Sequence, residues 1–172
     1  MIQEGDIFIH PTDTIYGIGC LATDNKAVEK VRNIKNRLKK PLSIIVPSKE
    51  WIYENCETTN RDKEWIEKLP GPYTLILNLK KSGCIASNVN LNMESLGVRL
   101  PDHWITELVE ELNTPIITTS ANVIGEDFMT SVDNLDREIA SKMNFIIYEG
   151  EKTGRPSKII HLNSETPLVK ER

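Results

Sequence analysis

The chain has 172 residues, 39% of them hydrophobic, and a formal net charge of −4. That length suits one globular domain with a sizeable core, and no apolar run is long enough to span a bilayer. The acidic balance excludes a surface coated with nucleic acid but not a local cationic cleft, because a field is set by where charges cluster.

The three cysteines, Cys20, Cys56 and Cys84, are odd in number and far apart. They form neither a closed disulfide framework nor a close-spaced zinc motif, so they read as packing residues in a reducing cytoplasm. The stretch from Met1 to Asp6 lacks the basic-then-apolar pattern of a signal peptide.

In chain order, Gly5–His10 is a short β-branched and aromatic run stopped by Pro11, which predicts a strand. Pro11-Thr12-Asp13-Thr14-Ile15-Tyr16-Gly17-Ile18-Gly19 follows at once. Thr12 and Thr14 are either local turn-makers or hydroxyls facing a ligand, and the glycines permit a backbone that side chains would obstruct. The dinucleotide fingerprint G-x-G-x-x-G is incomplete. Asp24-Asn25 offer an N-cap to a helix carrying Ala27, Val28, Val31 and Ile34 on one side. That helix ends in Lys35, Arg37, Lys39 and Lys40, four cations in six residues. Such a cluster is either a solvated loop or the wall of an anion site.

Leu42–Val46 is a continuous apolar run, which predicts a strand buried on both faces. Residues 49–69 predict two helical pieces, the second capped by Asp62. Pro70-Gly71-Pro72 turns into a strand over 73–79, and residues 80–94 read as a loop. The strand Leu96–Leu100 carries Arg99, which either faces solvent from an edge strand or reaches into a site. A helix starts at Pro101-Asp102 with Ile105, Leu108, Val109 and Leu112 on one face. The buried-type strand Pro115–Thr119 ends in Ser120-Ala121-Asn122, and strand carboxyl ends are where ligands tend to sit in open α/β sheets. Ser131 caps a last helix (Leu135, Ile139, Met143). Residues 145–148, 157–162 and 168–170 complete the sheet, the last two as a hairpin region, around a loop at 150–156. The pattern predicts a single mixed-sheet α/β domain over residues 1–172.

The polar groups near strand ends are rich in donors and cations and poor in bases. His10, His103 and His161 are scattered, with no nucleophile elbow, no protein-built metal site and no P-loop. A cavity of this kind suits holding anions and reactants in line, as phosphoryl and nucleotidyl transfer require. The residues alone therefore point to a polyanionic small molecule, with an amino acid as a second ligand.

Six motifs, in order over nearly the whole chain, resemble YrdC-like threonylcarbamoyl-AMP synthases. They are Pro11–Gly19, Lys35-Asn36-Arg37 with Lys40-Pro41-Leu42-Ser43, Pro70-Gly71-Pro72-Tyr73-Thr74, Gly97–His103, Ser120-Ala121-Asn122 and Ser157–Leu162. The resemblance implies a twisted, open mixed sheet with flanking helices around a positively charged cavity. It also implies a cytoplasmic nucleotidyltransferase that converts L-threonine, bicarbonate (or CO2) and ATP into threonylcarbamoyl-adenylate and pyrophosphate. Mg2+ would arrive with the nucleotide, and a tRNA threonylcarbamoyltransferase complex would consume the product. By position, Thr14, Arg99, Thr118 and Ser157 would contact threonine. Lys35, Arg37, Lys40, Ser95, Ser120 and Asn122 would surround ATP, with Lys35 and Arg37 neutralising charge as pyrophosphate leaves. No metal ligand is assigned.

Departures from the family pattern are Leu38 for proline in a loop one residue short, which bears on Lys40, and Ile45 where many members carry histidine. Ile124 and Phe128 replace later serines, Lys158 replaces threonine, and His161 replaces aspartate. Lys170 or Arg172 is the candidate to replace a family arginine near ATP. The short chain would lack the C-terminal domain of longer relatives. Two other readings of the same residues are a non-enzymatic module holding tRNA or double-stranded RNA by its phosphates, and a carbamoyl-handling transferase domain.

Overall fold

A computed structural model describes residues 2–37, 39–123, 125–164 and 166–171. Its elements begin with β1 (Phe8–His10), β2 (Gly17–Gly19), α1 (Asn25–Ile34), β3 (Ser43–Ile45), α2 (Lys49–Asn55) and α3 (Asn60–Ile66). They continue with β4 (Tyr73–Asn78), α4 (Ser87–Asn90), β5 (Ser95–Arg99), α5 (Ile105–Leu112) and β6 (Ile116–Ser120). The chain closes with α6 (Arg137–Ala140), β7 (Phe145–Ile146), β8 (Lys158–His161) and β9 (Leu168–Lys170). The described strands form one mixed sheet in the order β7-β1-β2-β6-β3-β5-β4-β8-β9. Three pairs are parallel (β1/β7, β3/β5, β4/β8) and the other five antiparallel, with β8/β9 forming the expected closing hairpin.

Alternation along the strands gives the sheet two unlike faces. Ile9, Ile18, Ile117, Ile44, Val98, Leu75 and Ile160 share one face and pack with Ala27, Val28 and Val31 of α1 and with Ile52 and Ile66 of α2 and α3. On the other face, Phe8, Ile45 and Ile116 pack under Ile105 and Val109 of α5. Beyond α5 that second face carries small or polar residues in matched register. Ser43 lies opposite both Thr118 and Gly97, and Gly17 opposite both His10 and Ser120. This uncovered half is where a ligand can reach the sheet.

Local chemistry accounts for the helix starts. Asp24 caps α1 by accepting from the amides of Lys26 and Ala27, a device whose loss costs about 1 kcal/mol. The predicted cap of α3 moves by three residues. Thr59 is the N-cap and Asp62 is its reciprocal partner in a capping box. Likewise the helix expected from Pro101-Asp102 begins at Ile105. Ser131 caps only a 3-10 turn, Val132–Asn134, and α6 starts anew from Asp136, so the single predicted helix is two pieces. The predicted loop 80–94 contains α4, whose first turn has no side-chain cap. Long-range bonds hold it instead, from the Ala86 amide to Ala22 O (2.8 Å) and from the Leu42 amide to Val89 O (2.9 Å). Cys20 and Cys56 are core residues, and burial pushes the Cys56 thiol up to about 12.

Candidate functional site

Two adjoining chambers open on the uncovered half of the sheet. The first, a narrow cavity of about 40 Å³, is lined by Thr14, Ser43, Thr74, Arg99, Thr118 and Ser157, among others. The second, about 180 Å³, is lined by Lys35, Arg37, Lys40, Ser120 and Asn122. Arg37 and Ser120 border both. All four residues expected at threonine therefore share one chamber, and five of the six expected at ATP share the other. Ser95 is apart. It lies on the same strand face as Gly97 and Arg99 but four residues before Arg99, on the order of 13 Å along the strand, and it lines neither chamber.

Arg99 settles the choice left open by its sequence. β5 is an interior strand and Arg99 is buried. Its Nη2 donates to Asp13 Oδ1 at 2.8 Å and to Thr14 Oγ1 at 3.2 Å. Asp13 also accepts from the Asp102 amide at 3.2 Å, so the carboxylate aims the guanidinium from a fixed position. Thr12 is a turn-maker. Its hydroxyl accepts from the Thr14 and Ile15 amides and donates to Ile15 O at 2.7 Å, which presents Thr14 to the cavity. Ser157, just before β8, shares a 2.7 Å hydrogen bond with Thr74 across the strand pair.

The floor needs its glycines. A Cβ on Gly97 would lie 2.6 Å from Ser43 Oγ, and one on Gly19 would lie 2.9 Å from the rings of Phe8 and His10. The G-x-G of the early motif thus makes room for rings crossing from β1. His10 is fully buried there. Burial, opposed by a bond to Pro11 O and reinforced by the charge of Arg99, lowers its pKa to about 4, so it stays neutral.

In the second chamber Lys35 is the C-cap of α1, and Asn36 adopts a left-handed conformation (φ 50°) that turns the chain toward Arg37. Lys35 Nζ donates to the carbonyls of Ser120 and Asn122 and to Asn122 Oδ1 at 2.8 Å. Ser120 Oγ donates to the same Oδ1 at 2.6 Å, and Asn122 Nδ2 donates to Glu126 O at 2.6 Å. The K-x-R and S-x-N motifs are one structural unit. Lys39 and Lys40 are exposed, and only Lys40 lines the chamber.

Several departures now have physical settings. Ile45 faces α5 in the second core cluster. Lys158 is exposed and paired with Glu171 at 2.8 Å. His161 and Phe128 are half-buried. Lys170 is exposed on β9 at the sheet edge and lines neither chamber. Leu38, Ile124 and Arg172 lie outside the described residues.

The segment after β7 is fastened to Tyr16 and to the residues that precede α5. Glu149 accepts from His103 Nε2 (2.8 Å), Trp104 Nε1 (2.7 Å) and Lys152. Burial would raise this carboxyl, but the three donors together bring it down to about 2. The Tyr16 hydroxyl accepts from the Glu149 amide and donates to Gly150 O. Sequence reasoning missed Asp13, Thr74, Ser43 and the Glu149 cluster. Thr74 and Ser43 stood at the ends of quoted motifs, which was the available signal.

A sequence profile of the Sua5/YciO/YrdC family, described as telomere recombination, matches residues 1–171. The chain belongs to the Sua5/YciO/YrdC family. Within it, a Methanocaldococcus jannaschii protein provisionally named threonylcarbamoyl-AMP synthase is 41% identical over 95% of this chain and 78% of its own length. The Pyrococcus abyssi threonylcarbamoyl-AMP synthase is 32% identical over 98% of this chain and 50% of its own. The crystal structure of P. abyssi Sua5 complexed with L-threonine superposes with a TM-score of 0.84 at 30% identity, over 96% of this chain and 49% of that one. This chain thus spans about half the length of the P. abyssi protein. The E. coli YciO structure, with a TM-score of 0.85 at 21% identity over 98% of this chain and 83% of its own, shares the fold. The mixed, open sheet with flanking helices expected from the sequence is the Sua5/YciO/YrdC architecture.

Proposed function

We propose that the chain is a threonylcarbamoyl-AMP synthase. The observation that carries this is the pair of chambers joined at Arg37 and Ser120. One is a hydroxyl-lined recess with a buried guanidinium, and the other is a cationic recess, so together they suit joining an amino acid to a polyphosphate. Arg99 takes the threonine carboxylate, for which a guanidinium fork is suited. Thr14, Thr118 and Ser157 supply hydroxyls to its polar groups. Lys35, Arg37 and Lys40 face the triphosphate, with Ser120 and Asn122 completing the pocket.

The threonine nitrogen attacks the bicarbonate-derived carbon with loss of water, giving a carbamate. A carbamate oxygen then attacks the α-phosphorus, the bond to pyrophosphate breaks, and Lys35 and Arg37 neutralise the departing charge. Positioning and charge neutralisation supply most of the catalysis in such transfers, and no protein nucleophile is needed. Among the described residues no group of three His, Cys, Asp or Glu could hold a metal ion. Mg2+ would enter on the nucleotide, held by phosphate oxygens and water. The product adenylate would pass to a tRNA threonylcarbamoyltransferase complex in the cytoplasm. Among the described residues no helix is long and apolar enough to cross a membrane.

The test is pyrophosphate release from ATP and bicarbonate, with and without L-threonine. Threonine-dependent release is expected. A folded protein that releases none, or releases it equally without threonine, overturns the reading.

A further inference from the structure

Arg32 is a buried charge that the proposed reaction does not use. It lies on α1 one turn before Lys35 and is 4% exposed. Its Nε donates to Asn88 O at 2.6 Å and its Nη2 to Val89 O at 2.7 Å. Its Nη1 donates to both Arg37 O at 2.8 Å and Lys40 O at 2.9 Å. All four acceptors are neutral backbone carbonyls. Burial alone pulls the guanidinium below its usual range, and among the described residues no carboxylate pairs with it.

An isolated buried cation is a costly way to fill space that a methionine could fill. What the guanidinium adds is a rigid fork that collects acceptors from two segments at once. One segment is the basic loop, seized at both Arg37 and Lys40. The other is Asn88-Val89 in α4. The clasp is reinforced by the Arg37 amide donating back to Arg32 O at 2.9 Å, and by the Leu42 amide donating to the same Val89 O. Arg37 and Lys40 line one chamber with Lys35, and like charges so gathered repel. A loop bearing them spreads unless its backbone is held.

We propose that Arg32 is a positioning residue of the anion chamber, holding Arg37 and Lys40 at the ligand's phosphates while its own buried charge adds to the field there. The proposal rests on the synthase reading for the identity of the anion. A lysine in its place keeps the charge but presents a single nitrogen, so it cannot span both segments.

Arg32→Lys and the wild type are titrated calorimetrically with ATP and, separately, with L-threonine, and their thermal melts are compared. In R32K the ATP affinity is expected to fall about tenfold while threonine affinity stays within about twofold. Unchanged ATP affinity in folded R32K overturns the proposal. So does a parallel fall for both ligands, which is what loss of structure alone gives. If R32K does not fold, Arg32→Ala prepared with methylguanidinium replaces it. ATP affinity that rises with methylguanidinium supports the clasp, and affinity indifferent to it overturns the clasp. A wild type that binds ATP in an Arg32-dependent way but releases no pyrophosphate keeps the clasp and removes the synthase reading. A wild type that binds no ATP removes both.

Discussion

In the chamber proposed for the amino acid the guanidinium of Arg99 is held against a carboxylate, Asp13, at 2.8 Å. In the anion chamber Lys35 is held by oxygens of Ser120 and Asn122, and Arg32 behind it by four carbonyls. The two arrangements suit different guests. A monocarboxylate needs one aimed fork, and a nearby acid fixes the aim while keeping the local charge near balance. A polyphosphate needs net positive charge, so its cations are better fixed by dipoles, which orient a charge without cancelling it. The same residue type is thus used in two ways, according to what holds it.

The largest effect tests whether the chambers are separable. Arg99→Ala removes the fork and takes from the half-buried Asp13 its guanidinium partner. Threonine affinity is expected to fall on the order of 100-fold or more, with nucleotide binding within about twofold by calorimetry. An equal loss of both ligands would merge the chambers into one. On the other side, Lys35→Met is expected to weaken ATP on the order of 10- to 100-fold. It should also speed hydrogen exchange at the Ala121 and Asn122 amides, because the Ser120–Asn122 turn loses its central donor.

The shared floor gives a smaller effect. In Gly97→Ala the new Cβ meets Ser43 Oγ at 2.6 Å. Denaturant melts should show a loss of about 1–3 kcal/mol, with KM for threonine raised more than KM for ATP. His10, packed against Gly17 and Gly19, makes a pH signature. Its folded pKa of about 4 lies below the unfolded value of 6.5. Above 6.5 both states are neutral and the contribution is complete. As pH falls toward 4 the unfolded chain takes a proton that the folded chain resists. Stability then drops by up to about 1.4 kcal/mol per pH unit, and His10→Phe should flatten that limb in melts between pH 7 and 4. The smallest effect sharpens the anion side. Lys39→Ala changes an exposed cation that lines neither chamber, and ATP affinity should stay within about twofold.

Elements whose signals are local could be read from the chain. α1 follows from the Asp24 cap and the spacing of Ala27, Val28 and Val31, while β3 and β6 follow from apolar runs. α4 could not, because Asn88 and Asn90 have poor helix propensity and its support comes from Ala22, Leu42 and Arg32. The site divides in the same way. Motif order gathered nine of its ten assigned residues into two chambers; Ser95 lines neither, because alternation gave its face but not its distance along the strand. Asp13 and Arg99, 86 residues apart, and Thr74 and Ser157, 83 apart, meet through strand register, which no local pattern states. Arg32 shares a helix with solvated lysines, and its sequence neighbours gave no reason to expect burial.

The parallel pairing of β8 with β4, Tyr73 opposite Lys158, has a consequence for how the protein comes into being. Thr14, Asp13 and Arg99 belong to the first two thirds of the chain and can meet while synthesis is still under way. Ser157 arrives later, and it reaches Thr74 only when a long crossover closes, the kind of non-local step that folds slowly. A nascent or truncated chain that stops short of β8 therefore carries most of the chamber's walls without its last side. The pairing of Ser157 with Thr74 therefore adds the last side of the chamber after the others.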